Sequence, residues 1–169
     1  MEEWLRQRGN AVVLRPPMIL GPGSPHLASL EKAAKLPVVP MPDGVACRAP
    51  VHVHDVAGAV LAAMDLPDEA LVDGVLTFDL PGADELPFGE LVQEVARARG
   101  WRVPRVLDVP APLASGALRM IERLGRKERA ETIRRRVEGM REKVHADGAP
   151  ARRQLGWSPR PVTEVLRGD

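Results

Sequence analysis

Tyrosine is absent from this sequence of 169 residues, and cysteine occurs once. Without a tyrosine, the chain alone cannot complete an enzyme that uses a phenol as its acid or base. The single cysteine, Cys47, excludes an internal disulfide, which favours a reducing, cytoplasmic setting. The neighbouring Arg48 would favour a thiolate, but no histidine and acid accompany it, so we expect a structural or incidental thiol.

Long apolar runs and a strong charge of one sign are also missing. A membrane-spanning helix needs about 18 consecutive apolar residues. The sequence contains no such run, so we expect no membrane span and no membrane partner. The acidic start, Met1 to Trp4, is unlike a signal peptide. The net charge of +1 predicts no nucleic-acid partner.

The chain is rich enough in apolar residues, at 44%, to build a packed core. Its organising stretch begins with the apolar, strand-like residues 11–14 and runs into Arg15, Pro16 and Pro17. A strand without alternation is typical of one buried on both faces in a parallel sheet. The two prolines end the strand, and Gly21-Pro22-Gly23 continues it as a rigid loop. A strand that ends in this way is expected to deliver its loop to a binding crevice.

The remaining segments alternate between strands and helices and then become mostly helical. Capping residues and prolines bound the segments. Strands are predicted at 37–40, 49–53, 75–80 and 103–109, and helices at 24–35, from Asp55 to Met64, 87–99, 112–124, 126–143, 147–155 and 162–167. Residues 2–8 are predicted to be the end of a helix stopped by Gly9 and Asn10. This order predicts an α/β fold.

Five helices carry apolar stripes that we expect to face the core. The predicted stripes are Leu27, Leu30 and Ala34 in the helix that Ser24 caps and Pro25 begins; Val56, Val60, Leu61 and Met64 in the helix capped by Asp55; Phe88, Leu91, Val92, Val95 and Ala96 in the helix that Gly100 closes; Leu113, Ala117, Ile121 and Leu124; and Ala130, Ile133, Val137, Met140 and Val144. The last helix also carries Arg134, Arg135 and Arg136. Since aromatic residues are lacking there, we expect a solvated face on a helix docked by its stripe, or self-association through that stripe, and not a nucleic-acid site.

Several residues have both a functional and a structural interpretation. Arg15 is either a polar anchor at the crevice or a strand-end arginine paired with a carboxylate. The backbone amides of Gly21-Pro22-Gly23 either approach a phosphate or a cofactor, or form an ordinary tight loop. His52 and His54 share a strand face, which metal binding requires, but no third ligand lies nearby. We therefore predict core or capping roles for both histidines and no metal site.

Four stretches together resemble the C-terminal half of the extended short-chain dehydrogenase/reductase family, which includes NAD(P)-dependent nucleotide-sugar epimerases and dehydratases. The stretches are VLRPP at 13–17 with GPG at 21–23, RAPVHVHDVA at 48–57, LPG at 80–82 with LPF at 86–88, and ARRQLGWSP at 151–159. They occur in the family's order and cover nearly the whole chain. The resemblance implies partial Rossmann-like parallel strands plus a small, helix-rich α+β substrate domain.

The resemblance also assigns roles within a single domain of residues 1–169. Residues 1–66 would be the remnant of the sheet and its crossover helices, and 67–169 part of the substrate domain. Residues 15–19 would lie at the cofactor: Arg15, Pro16, Pro17, Met18 and Ile19. The substrate side would comprise Gly21, Pro22, Gly23 and Arg48, with Arg48 either binding a diphosphate or remaining a surface arginine.

The sequence departs from the family in two places. No glycine-rich phosphate loop occurs, and the family's Tyr-x-x-x-Lys pair is impossible without tyrosine. We therefore assign no catalytic residue and expect half of an NAD- or NADP-dependent epimerase, dehydratase or reductase that binds no cofactor and is inactive alone. Whether the chain is itself an enzyme stays open. The alternative is a non-catalytic module that dimerises or completes a split enzyme with a Rossmann-half partner, around a nucleotide-sugar-like substrate.

Overall fold

The computed structural model describes residues 11–71, 74–141 and 146–167, and divides them into two compact units. The first unit comprises the described residues up to Leu27, then Ala49–Glu85 and 146–167. The second comprises Ala28–Arg48 and 86–141. The helix end predicted at residues 2–8, with its stop at Gly9 and Asn10, lies outside the described residues. The prediction of a single domain divided at residue 66 stays a prediction.

The described elements alternate as the sequence predicts. The strands are β1 Ala11–Arg15, β2 Ile19–Leu20, β3 Val38–Pro42, β4 Cys47–Arg48, β5 Val51–His52, β6 Val75–Asp79, β7 Leu86–Pro87 and β8 Arg105–Val109. The helices are α1 Pro25–Ala34, α2 Val53–Met64, α3 Phe88–Ala98, α4 Ala111–Arg123, α5 Lys127–Arg141, α6 Ala149–Leu155 and α7 Val162–Arg167, with one 3₁₀ turn at Asp68–Leu71. The predicted α/β class is confirmed. No helix in the described ranges has both the length and the apolar character needed to cross a membrane.

The first unit is organised around β1, which pairs in parallel with β6 from Ala11 opposite Val75 to Arg15 opposite Asp79. The strand predicted at 11–14 is therefore confirmed. Its predicted burial on both faces is wrong, because Ala11 to Leu14 are only half-buried. Within the described residues β6 is the one strand paired with β1, so the other edge of β1 has no described strand partner.

The core of this unit forms where distant segments meet on β6. Phe78 and Leu80 are buried with Val51, Ala59 and Trp157. The indole Nε1 of Trp157 also donates to the Pro81 carbonyl at 2.9 Å. Helix α6, which precedes Trp157, ends at Gly156 in the left-handed conformation, with φ of 64°. This turn places the indole back on the core.

The second unit has two strand pairs and the most strongly amphipathic helix. Strands β3 and β8 are parallel, and β4 and β7 are antiparallel. The stripe predicted for α3 is confirmed, since Leu91, Val92, Val95 and Ala96 are all buried. Gly100 follows α3 with φ of 67°, so the predicted glycine stop is confirmed as well.

Helices α4 and α5 differ in how well their predicted stripes hold. In α5, Ala130 is fully buried and Ile133, Val137 and Met140 are half-buried, which confirms that the stripe docks; Val144 lies outside the described residues. The prediction for α4 is wrong, because no residue of this helix is buried. Leu113 is 66% exposed and Leu124 is 70% exposed.

Two of the arginines of α5, Arg134 and Arg135, are paired along the helix surface, as expected for a solvated face. Arg134 contacts Glu122 at 2.7 Å and Glu131 at 3.0 Å, and Arg135 contacts Glu131 at 3.0 Å. The hydrogen bond from Arg135, followed by the charges of both arginines, lowers the pKa of Glu131. The hydrogen bond and charge of Glu122 raise the pKa of Arg134. The side chains of Arg134 and Glu131 are both about half exposed, so water screens these pairs and they add little stability.

Candidate functional site

The loop that follows β1 forms a pocket of about 410 Å³ in the first unit. The predicted loop residues that line it are Pro16, Pro17, Met18, Ile19, Gly21, Pro22 and Gly23. Ser24, Pro25, His26 and Val53 complete the wall. The pocket therefore lies at the carboxyl end of a parallel strand, which is where open α/β sheets bind their ligands.

Hydrogen bonds from the backbone and from the Ser24 side chain fix the conformation of this loop. The Met18 carbonyl accepts from the Val51 amide at 2.9 Å, which joins the loop to β5. The Ser24 hydroxyl donates to the Ile19 carbonyl at 2.9 Å and accepts from the Leu27 amide at 3.4 Å. Ser24 thus caps α1 with Pro25 as its first residue, as predicted. The loop is pinned at both ends.

Two glycines give the loop its shape. A Cβ on Gly21 would lie 2.6 Å from Cγ1 of Val53, so only glycine allows α2 to approach this closely. Gly23 has φ of 76°, a conformation that L side chains rarely adopt. Two of the three residues at 21–23 therefore carry no side chain, which suits close approach of a ligand to their backbone groups.

The start of α2 differs from the prediction. The strand predicted at 49–53 is present but shorter, because β5 covers Val51–His52 and the helix begins at Val53. The prediction that Asp55 caps this helix is wrong. His52, which is 1% exposed, is the N-cap and accepts from the His54 amide on Nδ1 at 3.2 Å. An imidazole nitrogen can act as the capping acceptor, and this confirms the capping and core role predicted for His52.

Asp55 has a different and more distant partner. Its carboxylate accepts from Nε of Arg160 at 2.8 Å and from the Arg160 amide at 3.1 Å. The same guanidinium lies 3.2 Å from Nδ1 of His52. The Asp55 side chain is only 11% exposed. This charge-assisted pair joins the first turn of α2 to the segment before α7, and sequence patterns had not indicated it.

The two predicted arginines lie outside the pocket lining. Arg15 is exposed at the end of β1, and its carbonyl accepts from the Leu80 amide at 3.1 Å. Arg48 belongs to the second unit, where its guanidinium donates to the carbonyls of Cys47 at 3.1 Å and Gly139 at 2.7 Å. Cys47 is exposed and free. The ligand roles of both arginines stay predictions.

Four lining residues were not predicted in their role at the pocket. Ser24 and Pro25 were predicted only as the start of a helix, and neither His26 nor Val53 was predicted as a site residue. The one available signal for His26 was its place in the first turn of a helix that directly follows the loop. No group of three or more His, Cys, Asp or Glu side chains with metal-binding geometry occurs among the described residues.

Known proteins resemble this chain over part of their length. No family model matches the chain. A ceramide reductase from Caulobacter vibrioides is 31% identical over 112 residues, which are 64% of this chain and 34% of that protein. The chain therefore spans about one third of this curated relative.

Solved structures match nearly the whole chain. The structure of RMD from Pseudomonas aeruginosa complexed with NADPH has a TM-score of 0.62 at 16% identity and covers 99% of this chain and 50% of that one. A UDP-glucose-4-epimerase from Stenotrophomonas maltophila with bound NAD has a TM-score of 0.62 at 22% identity, covering 98% and 48%. The chain thus has the fold of about half of these proteins, consistent with the predicted C-terminal half.

Proposed function

We propose that this chain forms the substrate-side half of an NAD(P)-dependent reductase or epimerase and provides one wall of the nicotinamide site. One observation carries the proposal: the loop of residues 16–23 closes a pocket at the carboxyl end of β1. The likeness to structures that hold NADPH or NAD supports it. In this proposal the residues facing the cofactor are those of the pocket wall, with Pro17, Met18 and Ile19 nearest the ring.

The pocket fits the nicotinamide ring but not the phosphates of the cofactor. Its wall combines apolar side chains with the bare backbone at Gly21 and Gly23, which suits a flat ring that carries one amide. No glycine-rich phosphate loop occurs in the sequence. The bound cofactor would supply the hydride chemistry. The residues of this chain would position the ring and exclude water, and a second polypeptide segment would hold the phosphates and provide the acid or base.

The substrate would lie over the same loop. We propose Gly21, Pro22 and Gly23 as its backbone contacts, with Arg48 as a candidate for an anionic group such as the diphosphate of a nucleotide sugar. The reductase relative is named for a lipid substrate and the epimerase structure for a nucleotide sugar, so both classes belong in a substrate screen. A cytoplasmic location is part of the proposal, as predicted from the lone cysteine.

The alternative function is an interaction module without cofactor chemistry. The apolar side chains of α2 favour it, because Leu61 is 63% exposed and Met64 is 75% exposed. Among the described residues β6 is also the one strand paired with β1. The prediction that the stripe of α2 faces the core is confirmed for Val56 and is wrong for Val60, Leu61 and Met64; the smaller Ala59 is buried. Exposed edges and apolar faces of this kind favour association, either with a second copy or with a Rossmann-half partner.

A reconstitution experiment separates the two functions. The chain is mixed with a polypeptide carrying the glycine-rich half of a related reductase, and NADPH binding is followed by nucleotide fluorescence, with turnover measured in parallel. We expect no turnover by the chain alone, and a mixture that binds NADPH at least about tenfold more tightly than either part, a difference of about 1.4 kcal/mol. Turnover by the chain alone would contradict the proposal. Association seen by sedimentation without added NADPH binding would favour the interaction module.

A further inference from the structure

Helix α4 presents an unusual exposed apolar face within the second unit. Leu113 is 66% exposed, Met120 is 63% exposed and Leu124, at the helix end, is 70% exposed. At about 100° per residue, these three side chains lie within about 40° of one another around the helix. They therefore form a single strip along α4, which we call the α4 strip. Scattered exposed leucines are ordinary, but an aligned strip on a helix without a buried residue is not.

Basic residues border the α4 strip: Arg119 and Arg123 lie to one side of it on the helix, and three more follow within five residues of Leu124. Between residues 111 and 129 there are five basic residues and two acidic ones. The basic residues are all exposed: Arg119, Arg123, Arg126, Lys127 and Arg129. In the part of the chain that the structure describes, none of the five forms an ion pair. Of the two acids, Glu122 is already paired with Arg134. The border of the strip therefore carries uncompensated positive charge.

The positive charge of the basic border determines which kind of partner the α4 strip can bind. A second copy of the chain would bring an equally basic border against the first, and like charges would repel. An anionic bilayer would attract the border, while the strip would enter the boundary between headgroups and acyl chains. The long aliphatic stems of arginine allow the guanidinium to stay at the headgroups as the leucines insert.

We propose that the α4 strip and its basic border dock this chain on the surface of an anionic lipid bilayer. The occupant is the surface of a membrane, and binding there does not need a helix that crosses it. The proposal is therefore compatible with the finding that no described helix could span a membrane. The proposal departs from the expectation of no membrane partner, because that expectation rested on the length of apolar runs alone. It uses only residues of the second unit and does not depend on the pocket at β1.

The test is sedimentation of the full chain with vesicles of equal parts phosphatidylglycerol and phosphatidylcholine. We expect binding that falls as salt is raised, and binding to pure phosphatidylcholine that is at least about tenfold weaker. The double substitution R119E/R123E should lower binding to the anionic vesicles about tenfold or more. The triple substitution L113Q/M120Q/L124Q should lower it by at least about tenfold, through loss of the inserted apolar area.

Helix α2 supplies the matched control. Leu61 and Met64 are as exposed as the α4 strip, but α2 contains no lysine or arginine. The substitutions L61Q/M64Q should leave vesicle binding unchanged, and circular dichroism should confirm that each variant is folded. Binding of the triple variant equal to that of the wild type would overturn the proposal. Equal binding to both vesicle types would overturn it too, as would a dimer of the wild type, without vesicle binding, that the triple substitution abolishes.

Discussion

Replacing Gly82 by alanine is expected to lower the free energy of unfolding by about 3 kcal/mol or more. An ideal Cβ at this position would lie 2.1 Å from the Pro50 carbonyl oxygen and 2.9 Å from its carbon. These are backbone atoms, so no rotamer change relieves the overlap. The chain must separate there, and the hydrogen bond from the Gly82 amide to the Ala49 carbonyl, at 3.2 Å, is then lost.

The measurement is urea unfolding followed by circular dichroism, with G58A as the control. Gly58 lies inside α2 of the same unit, and a Cβ there would have nothing within 4 Å. Alanine should therefore stabilise this helix by about 0.5–1 kcal/mol. A G82A chain that unfolds within about 0.5 kcal/mol of the wild type would show that the two segments do not approach as described.

Replacing Trp157 by alanine is expected to cost about 3–5 kcal/mol. The ring is 5% exposed and packs with Phe78 and Leu80, and its Nε1 donates to the Pro81 carbonyl. Alanine both leaves a cavity and removes the donor from that carbonyl. W157F, which keeps most of the ring, should cost less, mainly through the lost hydrogen bond, at about 1–3 kcal/mol.

Trp101, in the second unit, is the matched control because it is only half-buried. Its ring lies 4.7 Å from the Lys35 ammonium, a contact that alanine would remove at a smaller cost. Denaturant unfolding should therefore rank the variants W157A, W157F and W101A, in order of decreasing loss. A W157A chain no less stable than W101A would contradict the packing of the first unit.

Gly82 and Trp157 both belong to the sequence stretches that carry the family resemblance. The stretches at 48–57, 80–82 and 151–159 converge in the first unit. Gly82 lies against the Pro50 carbonyl, and the indole of Trp157 donates to the carbonyl of Pro81. Asp55, from the first of them, pairs with Arg160 just beyond the last. Much of the resemblance therefore lies in contacts that hold the first unit together. Those residues specify the fold, whereas the proposed function rests on the loop at 16–23.

Local patterns predicted the elements whose signals are local. The strand predicted at 11–14 and helix α3 follow from the spacing of apolar residues, and the caps at Ser24 and Gly100 follow from capping rules. The patterns failed where burial depends on a neighbour. Helices α2 and α4 have apolar stripes, yet the structure leaves Leu61 and Leu113 exposed, because periodicity cannot say which side a partner covers.

The candidate site was predictable only where its residues are set by local sequence. Prolines and glycines fix a loop by themselves, so seven predicted residues line the pocket together. Arg15 and Arg48 were selected by residue type, and neither lies in its lining. The pair of Asp55 and Arg160 joins residues 105 positions apart, and a single sequence contains no signal for so distant a contact.

The most direct test of the central claim, that the pocket faces the nicotinamide, uses two tryptophan substitutions in the reconstituted complex. His26 is exposed and lines the pocket, so H26W would place an indole at its mouth. Lys32 is exposed on the same helix but does not line the pocket, so K32W is the control. NADPH titration should give a Kd raised about tenfold or more for H26W, a change of about 1.4 kcal/mol, and essentially unchanged for K32W. Equal affinity of the H26W and K32W complexes would contradict the claim.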